Sequence, residues 1–112
     1  MSTITWNDFE KLDIRVGTIT EAAPFPKATK PAYQLVIDFG AALGQKRSSA
    51  QITHHYTTDE LIGKQVVAVV NFRPKQIANF ISECLVLGVY DDEGDVVLLH
   101  PGKTVTNGQK IG

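Results

Sequence analysis

The clearest pattern in the chain is the alternation of apolar and polar positions from 33 to 39. The odd positions of this stretch are all apolar, and polar residues stand between them at 34 and 38. Such alternation is typical of a strand with one face on a core. Enrichment in β-branched and aromatic residues predicts further strands. They are "IRVGTITE" (14–21), "RSSAQIT" (47–53), "QVVAVVN" (65–71), "CLVLGVY" (84–90) and "DVVLLH" (95–100).

Two short helices are predicted beside these strands. Trp6, Phe9 and Leu12 recur at three-residue steps, and Thr5 with Asp8 resembles a helix-start signal, so we expect a one-sided helix over 6–11. The stretch "TTDELIG" (57–63) begins with hydroxyl and acidic residues and ends in glycine, which predicts a second helix of one or two turns.

Three connecting segments complete the predicted order. "AAPFPKATKPA" (22–32) carries three prolines, which favours an extended surface loop and a rim for a binding site. "NFRPKQIANFISE" (71–83) is interpreted as a polar connection, and "NGQKIG" (107–112) as a terminal tie.

The predicted fold class is all-β. Five short strands with a small helix between the third and fourth describe an OB-type, five-stranded Greek-key barrel with short helices and N- and C-terminal extensions. An SH3-like barrel or a β-sandwich fits the same pattern. The length of 112 residues predicts one domain over 1–112.

Composition narrows the class of protein. The chain is 43% hydrophobic and 21% charged, as in ordinary globular domains. It has one cysteine, so no internal disulfide is expected, and its start lacks the pattern of a signal peptide, which predicts a cytoplasmic protein. No apolar run approaches the roughly 20 residues needed to cross a bilayer, so we expect no membrane insertion.

The charge is unevenly distributed. The formal net charge is −1, which argues against coating nucleic acid by bulk electrostatics. The turn "DDEGD" (91–95) carries four negative charges, and removing them leaves +3 on the rest of the chain. A locally basic face is therefore compatible with the composition.

No residue pattern indicates catalysis. Cys84 opens an apolar strand without a basic neighbour and is interpreted as a structural residue. His54 and His55 are adjacent, so on a strand they point to opposite faces, and neither has a metal-ligand spacing. His100 is isolated in the sequence. We expect no catalytic residue, no metal and no cofactor, and an enzyme with a hidden site is the minority alternative.

A binding site is predicted where the third strand and the 71–83 segment flank one groove. Cations and amides on the two segments would contact phosphate. Phe72 and Phe80 would either stack on bases or anchor the segment in the core, and anchoring is preferred. The polar candidates are Lys46, Arg47, Ser49 and Gln51 on the strand, with Arg73, Lys75, Gln76, Asn79 and Ser82 on the segment.

The chain resembles the tRNA-binding domain family of OB folds. The resemblance lies in "KLDIRVGTI" (11–19), "GKQVVAVVNFRPKQI" (63–77) and "SECLVLG" (82–88). Three further stretches resemble the CsaA branch of that family, small proteins regarded as bacterial export chaperones. They are "FPKATKPAYQLVIDFG" (25–40), "SSAQIT" (48–53) and "GDVVLLHPGKTVTNGQKIG" (94–112).

The resemblance implies a homodimer in which the terminal segments, about 1–12 and 95–112, meet the partner subunit. Trp6, Phe9 and Leu12 would then lie in the interface, whereas the alternative is a helix that plugs its own barrel. The resemblance also implies a nucleic-acid-facing motif, which comprises Arg15, Asn71, Arg73, Lys75, Ser82 and Glu83. Glu83 is expected to orient its neighbours rather than meet phosphate, since like charges repel.

Two functions follow from the resemblance. The first is a CsaA-like chaperone that binds unfolded or precursor polypeptides for export, and the second is structure-specific binding of tRNA on the same surface. Gln76 and Asn79 stand where strongly tRNA-binding relatives are basic, which predicts weaker phosphate affinity. The sequence therefore favours the chaperone function.

Overall fold

A computed structural model describes residues 2–112. Two short helices and nine strands follow one another along the chain. They are α1 (Trp6–Glu10), β1 (Ile14–Pro24), β2 (Tyr33–Asp38), β3 (Gln45–Ala50), α2 (Thr58–Leu61), β4 (Gln65–Val69), β5 (Lys75–Ile77), β6 (Phe80–Ser82), β7 (Leu85–Val86), β8 (Gly88–Tyr90) and β9 (Val96–Leu98).

Five of the strands form one antiparallel sheet in the order β3-β2-β1-β4-β7. The sheet curls until its two edges meet. There, Glu83 N donates to Arg47 O at 2.7 Å, and Ser48 Oγ donates to Cys84 O at 3.1 Å. The result is a nearly closed five-stranded barrel, which confirms the predicted all-β OB fold.

The barrel interior holds the residues that the alternation predicts. Leu35, Ile37 and Phe39 are buried, while Gln34 and Asp38 between them are half-buried. On β1 the register shifts between Ile19 and Glu21, a bulge that lets a long strand bend around the core. The same alternation is seen on β3 and just after it, where Ile52 is buried while Arg47 and Gln51 are exposed.

The strands differ from their predicted bounds by up to three residues, and two of the differences follow from strand pairing. The third ends at Ala50 rather than 53, because its partner β2 begins opposite it at Tyr33. The fifth, predicted as one strand over 84–90, is two strands because the chain changes partner at Leu87. Leu87 N donates to Val67 O at 2.8 Å, whereas Leu87 O accepts from Leu99 N at 3.1 Å.

The 71–83 segment contains a hairpin rather than a polar connection alone. β5 and β6 pair antiparallel and are joined through Ala78, which adopts a left-handed conformation with φ 51°. Phe80 anchors the hairpin, because it is buried with Phe25 and Ala32 in a second, smaller apolar cluster. The expected anchoring role is thus confirmed for Phe80, but it is wrong for Phe72, which is 53% exposed.

Both terminal segments lie at one end of β1. Thr5 caps the N-terminus of α1: its Oγ1 accepts from Asp8 N at 3.1 Å, while Asp8 Oδ2 accepts from Thr5 N at 3.1 Å. None of its residues is buried, so the helix does not plug the barrel. Residues 108–111 run along β1, with Gly108 N donating to Val16 O at 2.7 Å. Within residues 2–112, neither helix has the length and apolar character to traverse a bilayer.

Candidate binding surface

A groove of about 610 Å³ lies between the end of β3 and the strands β7, β8 and β9. Its floor is largely apolar and includes Ile52 and Val86. Leu85 and Tyr90 also line it and are 47% and 78% exposed. Polar groups border this floor, among them Ser49, Gln51, His54, Asp95 and Lys30. The groove is therefore an apolar hollow with a polar border.

The proline-rich loop forms one side of this groove, as the sequence predicts. Lys30 and Pro31 lie in its lining. The loop is held in place by Phe25, whose ring centroid lies 5.5 Å from that of Phe80. Phe25 N also donates to Ala32 O at 3.1 Å, which closes the loop on itself. An ordered loop keeps Lys30 beside the groove.

Four of the predicted site residues form the seam between β3 and β6. Ser49 N donates to Ser82 Oγ at 3.1 Å, and Arg47 N donates to Glu83 Oε1 at 3.0 Å. The Arg47 guanidinium lies 3.8 Å from Glu83 and 5.2 Å from the centroid of the Phe80 ring. The β3 strand and the segment thus adjoin directly, and the open groove begins at Ser49, where the seam ends.

The hairpin presents exposed polar groups next to this seam. Arg73 and Lys75 are exposed, and within residues 2–112 neither forms an ion pair shorter than 4.0 Å. Phe72 is 53% exposed beside them. Gln76 Nε2 donates to Ala78 O at 3.2 Å, and Asn79 is exposed in the turn. Two unpaired cations beside an exposed ring suit a negatively charged polymer.

Among the predicted site residues, Ser49 and Gln51 line the groove, and the other ten lie outside it. Three of those ten, Asn71, Arg15 and Lys46, take no part in the seam or the hairpin. Asn71 Oδ1 accepts from Asp13 N at 3.0 Å and its amide donates to Lys11 O at 2.7 Å. Arg15 lies close by, with Nε 2.6 Å from Asp13 Oδ1 and Nη1 donating to Gly108 O at 3.0 Å. Both side chains therefore connect the terminal segments to the barrel. Lys46 shares the face of β3 that carries buried Ser48, opposite to Arg47.

The two adjacent histidines follow β3 in a turn, where the opposite-face rule for strands does not apply. Their ring centroids lie 4.8 Å apart. His55 Nε2 lies 2.6 Å from Asp91 Oδ2, and His54 Nε2 lies 3.6 Å from Asp95 Oδ2. The contact with His55, aided by the backbone N–H groups of Asp95 and Glu93, lowers the pKa of Asp91.

A second apolar surface lies at the terminal end of the molecule. Ile4 and Trp6 are 70% and 76% exposed, and the Trp6 ring meets Phe9 edge-on at 6.1 Å. Leu12 and Ile111 adjoin the same hollow, which is about 300 Å³. We call the residues Ile4, Trp6, Phe9, Leu12 and Ile111 the terminal apolar surface.

Cys84 lies in the barrel wall and not in the groove lining. Its side chain is buried, and this burial raises the pKa of the thiol to about 11. The nearby Lys46 and the hydrogen bond with Ser48 lower this pKa, but they offset only part of the increase caused by burial. The thiol is therefore neutral near pH 7, as expected for a structural cysteine.

Several groove residues were not among the sequence candidates. Leu85, Tyr90 and Asp95 belong to predicted strands or to the acidic turn, and no local signal distinguishes a groove-lining apolar residue from a core one. Leu85 is exposed by ordinary alternation next to buried Cys84, whereas Tyr90 would share the face of Cys84 in an unbroken strand and is exposed after the break at Leu87. Recognising that break requires knowledge of the change in strand partner.

The fold and the surface together define a small OB-type binding domain. Residues 14–110 match the model of the family described as putative tRNA binding domain. The chain belongs to that family.

The similarity extends over almost the whole chain in two solved structures. One is chaperone CsaA from Bacillus anthracis strain Ames, with 53% identity, a TM-score of 0.93, and coverage of 99% of this chain and 100% of that one. The other is the CsaA chaperone protein from Picrophilus torridus, with 58% identity, a TM-score of 0.92, and coverage of 98% and 100%. The predicted resemblance to the CsaA branch is thus confirmed.

A larger relative contains a similar region. Methionine–tRNA ligase from Bacteroides fragilis is 37% identical over 108 residues, which is 96% of this chain and 16% of the ligase. The chain thus spans about a sixth of the length of that relative.

Proposed function

We propose that this protein is a non-catalytic chaperone that binds unfolded or precursor polypeptides for export in the groove beside β3. The observation that carries the proposal is the apolar floor of the groove, flanked by the exposed side chains of Leu85 and Tyr90. The similarity to two CsaA chaperones over nearly the full length supports it. Exposed apolar patches of this kind mark interaction sites.

The groove combines two features that suit an extended polypeptide. Apolar side chains of the polypeptide would be buried against Leu85 and Val86, while its backbone oxygens would accept hydrogen bonds from Lys30 or Gln51. Because the groove is open and its polar groups lie at the border, it selects for apolar character rather than for one sequence. We therefore expect modest, sequence-tolerant affinity.

The second candidate function is binding of tRNA. It is favoured by the exposed Phe72 beside the unpaired cations Arg73 and Lys75, and by the family model. A base stacked on an aromatic ring contributes about 1–3 kcal/mol, and cations contact the phosphates. Gln76 and Asn79 supply no charge on the same hairpin, so we place tRNA second.

A competition titration tests the two functions together. Labelled tRNA is titrated with the protein at low and at near-physiological salt, with and without an unfolded precursor polypeptide. Weak tRNA binding that is lost at near-physiological salt, or displaced by the polypeptide, supports the chaperone function. Tight, salt-dependent tRNA binding that the polypeptide does not affect would make tRNA the main ligand.

Two matched pairs of variants separate the surfaces. Tyr90→Ala removes an exposed groove side chain and should weaken polypeptide binding, whereas Ile62→Ala removes an exposed side chain outside the groove and should not. Lys75→Glu should weaken tRNA binding and reduce its salt slope by about 1 or more, whereas the charge-matched Lys103→Glu should leave the slope unchanged. Unchanged tRNA binding in Lys75→Glu contradicts the assignment of that residue.

We further propose that the protein is a homodimer joined through the terminal apolar surface. The support is the 76% exposure of Trp6 and the proximity of α1 to the C-terminal segment at Ile111. Sedimentation measures the mass directly. Trp6→Ala should shift the population toward monomer relative to the wild type and to Ile62→Ala, and a wild-type monomer at micromolar concentration contradicts the proposal.

A further inference from the structure

The two histidines and the acidic turn form a cluster that neither proposed ligand requires. One donor atom from each of His54, His55 and Asp95 lies within 4.8 Å of the others. Two donors bound to tetrahedral zinc at about 2.0–2.1 Å are themselves about 3.3 Å apart. The His54 and Asp95 donors already lie 3.6 Å apart, and the histidine is 66% exposed and free to rotate. His54 can therefore turn toward an ion that it shares with Asp95.

Asp91 orients this cluster. Its Oδ2 lies 2.6 Å from His55 Nε2, which leaves Nδ1 as the ring nitrogen for a metal. A carboxylate on the second ring nitrogen is the usual partner of a metal-binding histidine. Asp91 Oδ1 also accepts from Asp95 N and Glu93 N, both at 2.9 Å. One carboxylate thus fixes both the histidine ring and the turn that carries Asp95.

The local charge and the donor set favour a transition metal. The turn 91–95 carries four carboxylates. Lys30 lines the same groove but, within the described residues, makes no ion pair with Asp95 shorter than 4.0 Å. The resulting negative field attracts divalent cations. Two imidazoles with one carboxylate suit zinc, copper or nickel, whereas magnesium and calcium prefer oxygen donors alone.

We propose that His54, His55 and Asp95 bind a divalent transition-metal ion of the zinc type, with Asp91 positioning His55. Three protein ligands leave a fourth coordination position open. Since His54 and Asp95 line the groove, that position is available to water or to an oxygen atom of a groove ligand. The proposal does not depend on which polymer the groove binds.

The first experiment measures zinc binding by the full chain, prepared without a histidine tag and stripped of metal. Zn²⁺ is titrated against a chromogenic chelator, and we expect one ion per chain. His54→Ala and Asp95→Asn should each weaken binding at least tenfold. His100→Ala is the matched control, because this exposed histidine lies outside the cluster and should leave the affinity unchanged.

The visible spectrum of bound Co²⁺ distinguishes the loss of a metal ligand from a change in the fold. Co²⁺ bound to two histidines and a carboxylate gives visible absorption that depends on its ligands. Asp91→Asn should weaken the metal affinity by about 10–100-fold and shift this spectrum, while circular dichroism checks that the fold is kept. The proposal is overturned by the absence of saturable binding, by unchanged affinity in His54→Ala, or by a loss of binding in His100→Ala.

Discussion

Gly17→Ala is the substitution that most directly tests how the barrel is packed. A Cβ atom at Gly17 would lie 2.7 Å from Ile37 Cγ2, 2.7 Å from Phe39 Cδ1 and 2.8 Å from Phe39 Cε1. The two neighbours are only 0% and 1% exposed, so neither can move into solvent. The backbone at Gly17 lies outside the left-handed region, and the cost is therefore steric alone.

The expected change in the free energy of unfolding combines two effects, the overpacking of the core and the reduced conformational freedom of the unfolded chain. Extra carbon atoms forced into a packed core destabilise by about 1–3 kcal/mol. Replacing glycine by alanine at an unstrained site stabilises by about 0.4–1 kcal/mol, because the unfolded chain loses freedom. Gly102→Ala measures this second effect, since its Cβ would meet no atom within 4 Å. We expect Gly17→Ala to be less stable than Gly102→Ala by at least about 1.5 kcal/mol.

Urea denaturation followed by far-UV circular dichroism measures this difference. Tryptophan fluorescence is a poor reporter, because Trp6 is 76% exposed in the folded protein. Phe39→Leu should relieve part of the contact, so the cost of Gly17→Ala should be smaller in that background. If the two glycine variants agree within about 0.5 kcal/mol, or if Phe39→Leu has no effect on the cost, the packing argument is wrong.

Three further substitutions have outcomes that the structure predicts. Phe80→Ala should destabilise by about 3 kcal/mol in urea, because the ring anchors the hairpin on Phe25, whereas exposed Phe72→Ala should change stability by less than about 0.5 kcal/mol. Asn71→Ala should cost about 1–2 kcal/mol through its two lost hydrogen bonds, and no loss would contradict their structural role. Because burial raises the Cys84 pKa to about 11 from 9.0, the thiol ionises first in the unfolded chain, so stability should fall by roughly 2 kcal/mol between pH 9 and 11 relative to Cys84→Ala, and native Cys84 should resist alkylation at pH 8.

Much of the fold can be predicted from the sequence because burial alternates regularly along the first strands. Leu35, Ile37 and Phe39 face the core at the predicted positions. The hairpin of β5 and β6 is missed because its strands are only three residues long and its turn contains no glycine. The division at Leu87 is missed because an uninterrupted apolar run does not reveal a change of strand partner.

The candidate site is harder to predict, because the type of a polar residue does not reveal which group it hydrogen-bonds in the folded protein. Arg47, Ser49, Ser82 and Glu83 are brought together, yet their hydrogen bonds largely join β3 to the segment. Asn71 is also occupied by backbone groups, far along the chain at Lys11 and Asp13. These long-range contacts appear only when the barrel is formed. Resemblance to a family identifies the motif but does not separate its structural from its binding residues.

The arrangement of the surface explains how one small domain can suit two kinds of polymer. The apolar groove and the exposed cations of the hairpin are adjacent, and the Ser49–Ser82 hydrogen bond connects the strands that carry them. Apolar burial and phosphate contact depend differently on salt, because only the second releases counterions. Under the two proposed functions, we expect the balance between Tyr90 on one side and Arg73 with Lys75 on the other to set the preferred ligand. A lysine introduced at Gln76 or Asn79 should then raise the affinity for tRNA and steepen its salt dependence, while binding of an unfolded polypeptide should stay unchanged.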